Sequence, residues 1–340
     1  MPISPQVEAA TSPRPATIYD VAKLAGVSHQ TVSRLLRGAD NIGPKRRQRI
    51  EDALRELSYT PNEAARTLAT RKPRKIGAVI TDLQDWAPQQ ILRGAAEAAR
   101  TAGYVLDIVA VDINDDAKVG EALAVLSERS HAGAIVLAST DATLAALEKI
   151  GLDLPYVMEI EAQLDPGQPA VAEHSYARIV DHLAGLGHRF FFEITGPMVW
   201  RASRVRDLVY RSRVAELGLT HLGSAEGDWG AASGYTAMVT FDPRATAVVA
   251  GNDLMALGAM FWLREQGLRV PEDVSVVGYD GLPEGAYYVP PLTTMTVDFA
   301  ALGRQTVQEL LDIIEPGSGS RVQLTTELTV RSSTGPARLA

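Results

Sequence analysis

A short amphipathic segment, HQTVSRLL, carries the residue types that read DNA bases. Its apolar residues recur at helical spacing and would face a protein core: Val32, Leu35 and Leu36. The outer side then holds His29, Gln30, Ser33 and Arg34. Gln can bond adenine and Arg can bond guanine bidentately in the major groove, so this grouping favours reading of double-stranded DNA. A small helical bundle with a merely solvated face is the alternative.

A second group of polar residues follows the buried strands that the sequence predicts. In open α/β sheets, ligands bind beyond the carboxyl ends of the strands. The residues at these ends are Thr81, Asp82, Glu159, Asn252, Asp253, Tyr279 and Asp280. Carboxylates and amides that bond adjacent hydroxyl groups suit a polyhydroxylated ligand such as a sugar. For Asn252 and Asp280, a role as a helix cap or loop anchor is the alternative.

Other kinds of chemistry lack support in the sequence. There is no G-x-S-x-G turn, no HExxH, no GxGxxG after the first strand and no GxxxxGK[ST] loop. The chain has no cysteine, and its six histidines are scattered. We therefore expect no enzyme activity, cofactor or metal, with a sugar-acting enzyme or a solute-binding protein as remote alternatives. No apolar run is long enough to span a bilayer and the N-terminus does not resemble a secretion signal, so we expect a cytoplasmic protein.

The first 60 residues read as a three-helix head. Thr17 and Asp20 form a capping-box pattern, Gly26 ends the first helix and Ser28 can begin the second. The first helix would turn three residues inward: Val21, Leu24 and Ala25. A third helix, predicted from Pro44, would bury Ile50, Ala53, Leu54 and Leu57.

Charge separates this head from the rest of the chain. Between Arg14 and Lys75 there are 14 Lys and Arg against 6 Asp and Glu, a net charge of +8. The remainder carries 19 basic and 35 acidic residues, a net charge of −16 within an overall −8. A basic head on an acidic body is expected if only the head meets a polyanion.

Behind the head, apolar strand-like runs alternate with helical patterns. The runs include IGAVITDL, YVLDIVAV, GAIVLAS, FFFEITG, TAVVAGN and VSVVGYD. This alternation predicts parallel α/β architecture with strands buried on both faces, in two lobes. Glu193 interrupts one run, and the pattern does not account for it.

The segments TIYDVAKLAGVSHQTVSRLLRG and LSYTPNEAARTLATRK resemble the head of the lactose-repressor/galactose-repressor family of transcriptional regulators. In the body the likeness is strongest in EGDWGAASGY, GNDLMALGAM, VSVVGYD and VPPLTTMTVDF. The resemblance implies a cytoplasmic repressor with an all-α helix-turn-helix head, a hinge helix and an α/β body of two parallel-sheet lobes similar to periplasmic sugar-binding proteins. It assigns base reading to His29, Gln30 and Arg34, with the base under His29 left open. It assigns phosphate contacts to Thr17, Tyr19, Ser28, Thr31 and Asn41.

The connecting segment is short. Pro61 stops the preceding helix, Asn62 can cap a new one, and EAARTLAT spans only about two turns, too few for a stable isolated helix. The resemblance implies a hinge helix that pairs with its dimer mate in the minor groove. Ala65 would lie at the contact between the two helices, and Leu68 would be the wedge between bases. A plain linker leucine is the alternative.

The resemblance also implies an effector site between the lobes. It places Arg206, Trp229, Asn252 and Asp280 on a sugar. Glu159 joins them after a one-residue gap in the alignment, with Glu161 competing for that position, and Thr81 is added from its place after a strand. A solvated helix face is the alternative for Arg206, and plain packing is the alternative for Trp229. The implied function is a transcriptional repressor that binds a pseudo-palindromic operator. It dissociates from this operator when a small carbohydrate binds. A corepressor-type ligand or transcriptional activation is the alternative. The chain shows no leucine-heptad tail, so we expect a homodimer.

These inferences define four regions. We expect a disordered tail over 1–15, the helix-turn-helix domain over 16–60, the hinge helix and linker over 61–74, and an effector-binding and dimerisation domain over 75–340. Within the last region, lobe 1 would comprise about 75–171 and 297–327. Lobe 2 would comprise about 172–296 and 328–340.

Overall fold

The computed structural model describes residues 14, 16–36, 41–59, 73–80, 85–111, 120–121, 124–126, 131–137, 140–151, 153–158, 175–317 and 325–338. The chain divides into two compact units, a head within Met1–Lys72 and a body within Pro73–Ala340. The predicted hinge residues Asn62, Ala65 and Leu68 lie outside the described residues, as do Thr81 and Glu159. Of the predicted N-terminal tail, 1–15, only Arg14 is among the described residues.

The head contains α1 (Ile18–Ala25), α2 (His29–Leu36) and α3 (Pro44–Glu56). The predicted capping box begins α1: the Thr17 side chain accepts from the Asp20 N–H at 3.4 Å, and Asp20 accepts from the Thr17 N–H at 2.8 Å. Gly26 ends α1 in the left-handed conformation, with φ of 63°. Ser28 Oγ accepts from the Thr31 N–H at 3.2 Å at the start of α2. The local signals in this segment are confirmed.

The core of the head differs from the prediction at one residue. Leu24 is 46% exposed, whereas Ala22 is buried together with Val21 and Ala25. The inward stripe begins at Ile18 and continues at spacings of three and four through these buried residues, which leaves Leu24 on the outer edge. From the other helices, Val32, Ile50 and Ala53 complete the buried cluster, with Leu54 and Leu57 packed at its margin.

The smaller lobe of the body is a four-stranded parallel sheet in the order β2-β1-β3-β4. Its strands are β1 (Lys75–Ile80), β2 (Val105–Ala110), β3 (Gly133–Val136) and β4 (Tyr156–Met158). Its described helices include α4 (Trp86–Thr101), α5 (Asp141–Ile150) and, from much later in the chain, α10 (Phe299–Ile314). The short strands β1 and β3 are almost wholly buried, as expected for parallel strands covered on both faces.

The larger lobe is a six-stranded sheet in the order β10-β9-β8-β7-β5-β6. All neighbours are parallel except β10 and β9. Its strands are β5 (Phe190–Thr195), β6 (Thr220–Glu226), β7 (Ala247–Ala250), β8 (Ser275–Asp280), β9 (Thr293–Val297) and β10 (Thr326–Thr329). Its helices are α6 (Ser175–Gly185), α7 (Arg201–Glu216), α8 (Ala231–Ala237) and α9 (Asp253–Glu265), with short 3₁₀ turns at Met238–Thr240 and Pro283–Tyr287. Strand β10, with which the chain returns to this lobe, begins at Thr326. The sequence predicted this return at about residue 328.

Helices α4 and α10 cross in the smaller lobe with their backbones in direct contact. A Cβ on Gly94 would lie 1.9 Å from the carbonyl oxygen of Ala300, and a Cβ on Gly303 would lie 1.9 Å from that of Ile91. Only glycine leaves room for this approach. The crossing matters for function because the first residues of both helices, Trp86 and Phe299, line the cavity described below. No helix in the described parts of the chain is long and apolar enough to cross a membrane.

Candidate functional sites

Helix α2 presents the predicted base-reading side chains to solvent. His29, Gln30 and Arg34 are exposed, whereas Val32 on the opposite side is fully buried. The ring of Tyr19 on α1 lies against that of His29, with the centroids 5.0 Å apart and the planes tilted by 41°. This contact restricts the direction in which the His29 side chain leaves α2. Tyr19, a predicted phosphate contact, therefore orients His29, a predicted base-reading residue.

Five other predicted DNA contacts also have partners within the head. Arg34 Nη2 donates to the side-chain oxygen of Asn41, which joins the second helix to the following loop. The hydroxyls of Ser28 and Thr31 lie 2.9 Å apart, and the Thr17 hydroxyl is engaged in the cap of α1. Side chains held in this way lose less conformational freedom when they bind a ligand.

The body contains a cavity between its two lobes, with about 780 Å³ of space when its open mouth is included. The smaller lobe lines the cavity with the starts of α4 and α10 and the residue after β3. The larger lobe lines it with the start of α7 and the ends of β6, β7 and β8. Four predicted ligand-binding residues meet in this lining: Arg206, Trp229, Asn252 and Asp280.

Arg206 is the buried cation of the cavity. It is only 7% exposed, so the alternative of a solvated helix face is wrong. Its guanidinium carbon lies 4.0 Å from the ring centroid of Tyr279 and 5.9 Å from that of Trp229, and Nη1 donates to the Gly251 carbonyl at 3.2 Å. A planar cation held between two aromatic rings is a fixed donor for ligand oxygen atoms.

Asn252 both caps a helix and positions an aromatic ring. Its Oδ1 accepts from the Met255 N–H at 2.8 Å at the start of α9, so the predicted capping role is confirmed. Its Nδ2 donates to the Trp229 carbonyl at 2.9 Å. Trp229 has a φ of 73°, and its ring fills the space that a Cβ on Gly196 would occupy, 2.0 Å away. Each polar atom of the Asn252 amide can still form a second hydrogen bond, because the nitrogen carries two protons and the oxygen two lone pairs.

Asp280 ends β8 in an unusual backbone conformation, with φ of 108°, and is almost fully buried. The loop that follows it is braced by Asp253, which accepts from the Leu282 N–H at 2.6 Å and from the Thr294 hydroxyl at 2.5 Å. Burial raises the pKa of Asp253 to about 7, against the opposing effect of these two hydrogen bonds. Asp253, which the sequence grouped with the ligand contacts, therefore supports the wall of the cavity. Strained backbone that its surroundings hold in place is typical of ligand sites.

Comparisons with known proteins agree with this architecture. Residues 17–62 match the family model "Bacterial regulatory proteins, lacI family", and residues 180–334 match "Periplasmic binding protein-like domain". The chain is 33% identical over 306 residues to the Lactose operon repressor of Escherichia coli (strain K12), an alignment that covers 88% of this chain and 85% of that repressor.

The chain belongs to the lacI family of bacterial regulatory proteins. It is also 32% identical over 333 residues to the HTH-type transcriptional repressor PurR of Haemophilus influenzae (strain PittEE), covering 94% of this chain and 98% of that one. A crystal structure of the lac repressor dimer bound to operator and the anti-inducer ONPF matches 95% of this chain and 100% of its own, with a TM-score of 0.84 at 30% identity. The protein is thus a DNA-binding transcriptional repressor of the lacI family.

In this lacI-family repressor, several cavity residues were missed by the sequence analysis. Trp86 and Asp85 lie at the start of α4, Trp200 precedes α7, and Phe299 opens α10. Each stands at the amino end of a helix, whereas most of the predicted site residues follow strands. The sequence signal for these residues was a tryptophan close to the start of a predicted helix, which occurs in QDWAPQQ and in PMVWRAS. In the described residues, no group of three or more His, Cys, Asp or Glu could hold a metal ion.

The two lobes also touch beside the cavity. Thr140 and Trp200 form an isolated antiparallel bridge, and Arg204 Nη2 lies 2.6 Å from Asp141 Oδ1. Arg204 Nη1 in addition donates to the carbonyls of Met198 and Val199. Asp141 is largely exposed, so the ion pair contributes little to stability by itself. Its position makes it a marker of the angle between the lobes.

Glu193, which the strand pattern did not explain, lies in the larger lobe beneath α7. Burial raises the pKa of this carboxyl well above its ordinary value, and repulsion from Asp207 and a hydrogen bond with it raise the pKa further. Asp207 in turn accepts from Arg211 Nε at 2.6 Å. The raised pKa favours the neutral form of Glu193, whose burial in the sheet costs less than that of a carboxylate.

Proposed function

We propose that the protein represses transcription from a pseudo-palindromic operator and releases it when a small carbohydrate binds between the two lobes of the body. The observation that carries this proposal is the lining of the cavity, to which both lobes contribute. A ligand in contact with both lobes favours one angle between them. That preference is the differential affinity through which a ligand can shift a conformational equilibrium. Coupling between two such sites is typically worth about 1–3 kcal/mol.

A carbohydrate fits the side chains that meet in the cavity. Asp280 accepts hydrogen bonds from hydroxyl groups, Arg206 donates them, and Asn252 can do both. The Trp229 ring offers a flat apolar surface to the C–H face of a sugar ring. Thr81 and Glu159 complete the proposed set. They lie outside the described residues, so their part rests on the sequence alone.

On the DNA side, we assign base contacts to His29, Gln30 and Arg34, and phosphate contacts to the hydroxyl and amide side chains around them. A two-fold dimer would place two such heads on two half-sites. Support for a homodimer comes from large apolar side chains exposed on the larger lobe: Val239, Phe261, Tyr287 and Val289. We also assign the hinge residues to DNA binding, with Asn62 as the cap of the hinge helix and Ala65 and Leu68 in the minor groove. A Phe261→Asp substitution should produce monomers in light scattering coupled to gel filtration, whereas an unchanged mass would exclude this surface from the dimer.

A flat heterocyclic corepressor is the second candidate. The aromatic character of the lining favours it, because Trp and Phe rings stack on planar bases as readily as on sugars. The relatives named PurR share this chain's length and about a third of its residues. Such a ligand would strengthen operator binding instead of releasing it.

Thermal-shift measurements on the full-length protein separate these candidates. Ligand occupancy stabilises the folded state by RT ln(1 + [L]/Kd), so even a weak effector raises Tm at high concentration. The screen should cover monosaccharides, disaccharides and purine bases, and each hit should be tested on operator binding by fluorescence anisotropy. We expect a saccharide to raise Tm and to lower operator affinity. A purine base that raises both Tm and operator affinity would establish the second candidate in its place.

A further inference from the structure

We infer that the effector is a saccharide of at least two rings, and that Trp86 and Trp200, one from each lobe, form the subsite for its second ring. This inference rests on the proposed carbohydrate function and specifies the size of the ligand. The residues already assigned at the inner end of the cavity would hold the first ring.

The first observation is the distribution of tryptophan. Aromatic residues make up only 6% of the chain, and tryptophan occurs four times. Three of the four, Trp86, Trp200 and Trp229, line this single cavity, while Trp262 packs beside the core of the larger lobe. Tryptophan offers the largest apolar face of any side chain, together with one N–H donor. One tryptophan ring is enough to stack on a single sugar ring. Two further tryptophan rings in the same cavity therefore indicate a ligand with more apolar surface.

The second observation is a difference in burial among the lining residues. Arg206, Asn252 and Asp280 are at most 7% exposed, whereas Trp86 and Trp200 are only half-buried. The buried group offers hydrogen bonds, and the two tryptophans, with Asp85 beside Trp86, belong to the more accessible part of the lining. A ligand that contacts both parts must extend from one to the other.

The third observation is the length of the lining along α7. Trp200 immediately precedes α7 and lies six residues before Arg206, which corresponds to roughly 9 Å along a helix axis. Ala202 lies one turn before Arg206 on the same face of α7 and also lines the cavity, where its side chain adds little bulk. A single pyranose ring is shorter than this distance, whereas two linked rings can span it.

The fourth observation concerns packing. Trp200 is half-buried, yet its ring belongs to none of the apolar clusters that the described residues form. Its backbone forms the bridge to Thr140 of the smaller lobe, so the side chain stands where the lobes meet. Trp86 packs on the core with part of its ring and lines the cavity with the rest. A ring held by both tryptophans would connect the lobes directly.

The test is calorimetric titration of the full-length protein with a panel of disaccharides and with their component monosaccharides. At least one disaccharide should bind roughly tenfold more tightly than either of its components, since one well-stacked ring contributes about one power of ten in affinity. Trp200→Ala should remove that advantage while leaving monosaccharide affinity within about twofold. Trp262→Phe is the matched control and should bind both ligand sizes as the wild type does.

Two results would overturn the inference while the proposed function stands. One is a monosaccharide that binds as tightly as every disaccharide, and the other is a Trp200→Ala variant that keeps the full disaccharide affinity. Trp86→Ala should behave like Trp200→Ala, and its thermal unfolding shows whether it folds; if it does not, Trp200→Ala decides alone. Binding of no saccharide of either size, or binding of a purine base instead, would remove the proposed function itself.

Discussion

The crossing of α4 and α10 allows a quantitative prediction for Gly94→Ala. The new Cβ would lie 1.9 Å from the Ala300 carbonyl oxygen, whereas ordinary contacts begin at 3.4 Å, so the helices must separate by about 1.5 Å. The obstacle is backbone, which cannot rotate away. Overpacking of this kind costs about 1–3 kcal/mol, and the better helix propensity of alanine returns at most about 1 kcal/mol. Because the obstacle is backbone, the upper end of the overpacking range applies, about 3 kcal/mol, and after a return of about 1 kcal/mol the free energy of unfolding should fall by about 2 kcal/mol.

The same displacement should reach the cavity, because Trp86 begins α4 and Phe299 begins α10. Urea unfolding followed by circular dichroism measures the stability, and titration with the effector measures the affinity; both should decrease in Gly94→Ala. Gly185→Ala is the control, since a Cβ there meets nothing within 4 Å.

Gly303→Ala should resemble Gly94→Ala, because its Cβ also meets a backbone oxygen at 1.9 Å. The double variant should cost less than the sum of the two, since helices already separated by one substitution have room for the other. A Gly94→Ala protein as stable as Gly185→Ala would show that the backbones of the two helices lie further apart than the 1.9 Å clash requires.

Three further predictions concern the two sites and the buried acid. Arg34→Ala should weaken binding of the preferred operator by about 1–3 kcal/mol and relax its base preference, while Arg55→Ala, on α3, should alter affinity without altering preference; equal preference in both variants would refute base reading by Arg34. Asp280→Asn should abolish the effector's influence on operator binding while leaving operator affinity without effector unchanged, and a variant that responds normally would place the effector elsewhere. Because the pKa of Glu193 is raised in the folded state, the folded protein keeps a proton that the unfolded chain releases near its ordinary pKa of about 4.5. Stability from this group is complete below that pH and is lost as the pH rises, so Glu193→Gln should gain stability relative to the wild type as the pH rises above about 4.5, and parallel pH profiles in urea unfolding would contradict the assignment.

Local rules and strand order explain what the sequence predicted well. The capping box at Thr17 and Asp20 and the helix end at Gly26 depend on neighbouring residues alone. Asn252 and Asp280 were found because parallel strands end at a common edge, so residues that follow different strands come together. Arg206 and Trp229 came only from the family resemblance, since neither position follows from periodicity.

The remaining features depend on contacts between distant segments. Trp86 and Trp200 share a cavity only because the lobes face each other, and no pattern within either segment records that. Glu193 is tolerated through Asp207 on a different element, and Leu24 is exposed because the stripe that packs begins at Ile18. In each case the sequence pattern predicted the helix or strand but not which distant residues pack against it.

The late position of α10 in the chain has a consequence for biosynthesis. Its partner α4 is complete at Thr101, whereas α10 begins at Phe299, so about 200 residues are translated between the two. At about 5–20 residues per second this takes roughly 10–40 s, during which the glycine-containing face of α4 has no partner on the nascent chain. The larger lobe waits as well, because its edge strand β10 is made later still. A messenger truncated before Phe299 would therefore yield two unfinished lobes, and the ribosome-bound chain is a substrate for chaperones until nearly the end of its synthesis.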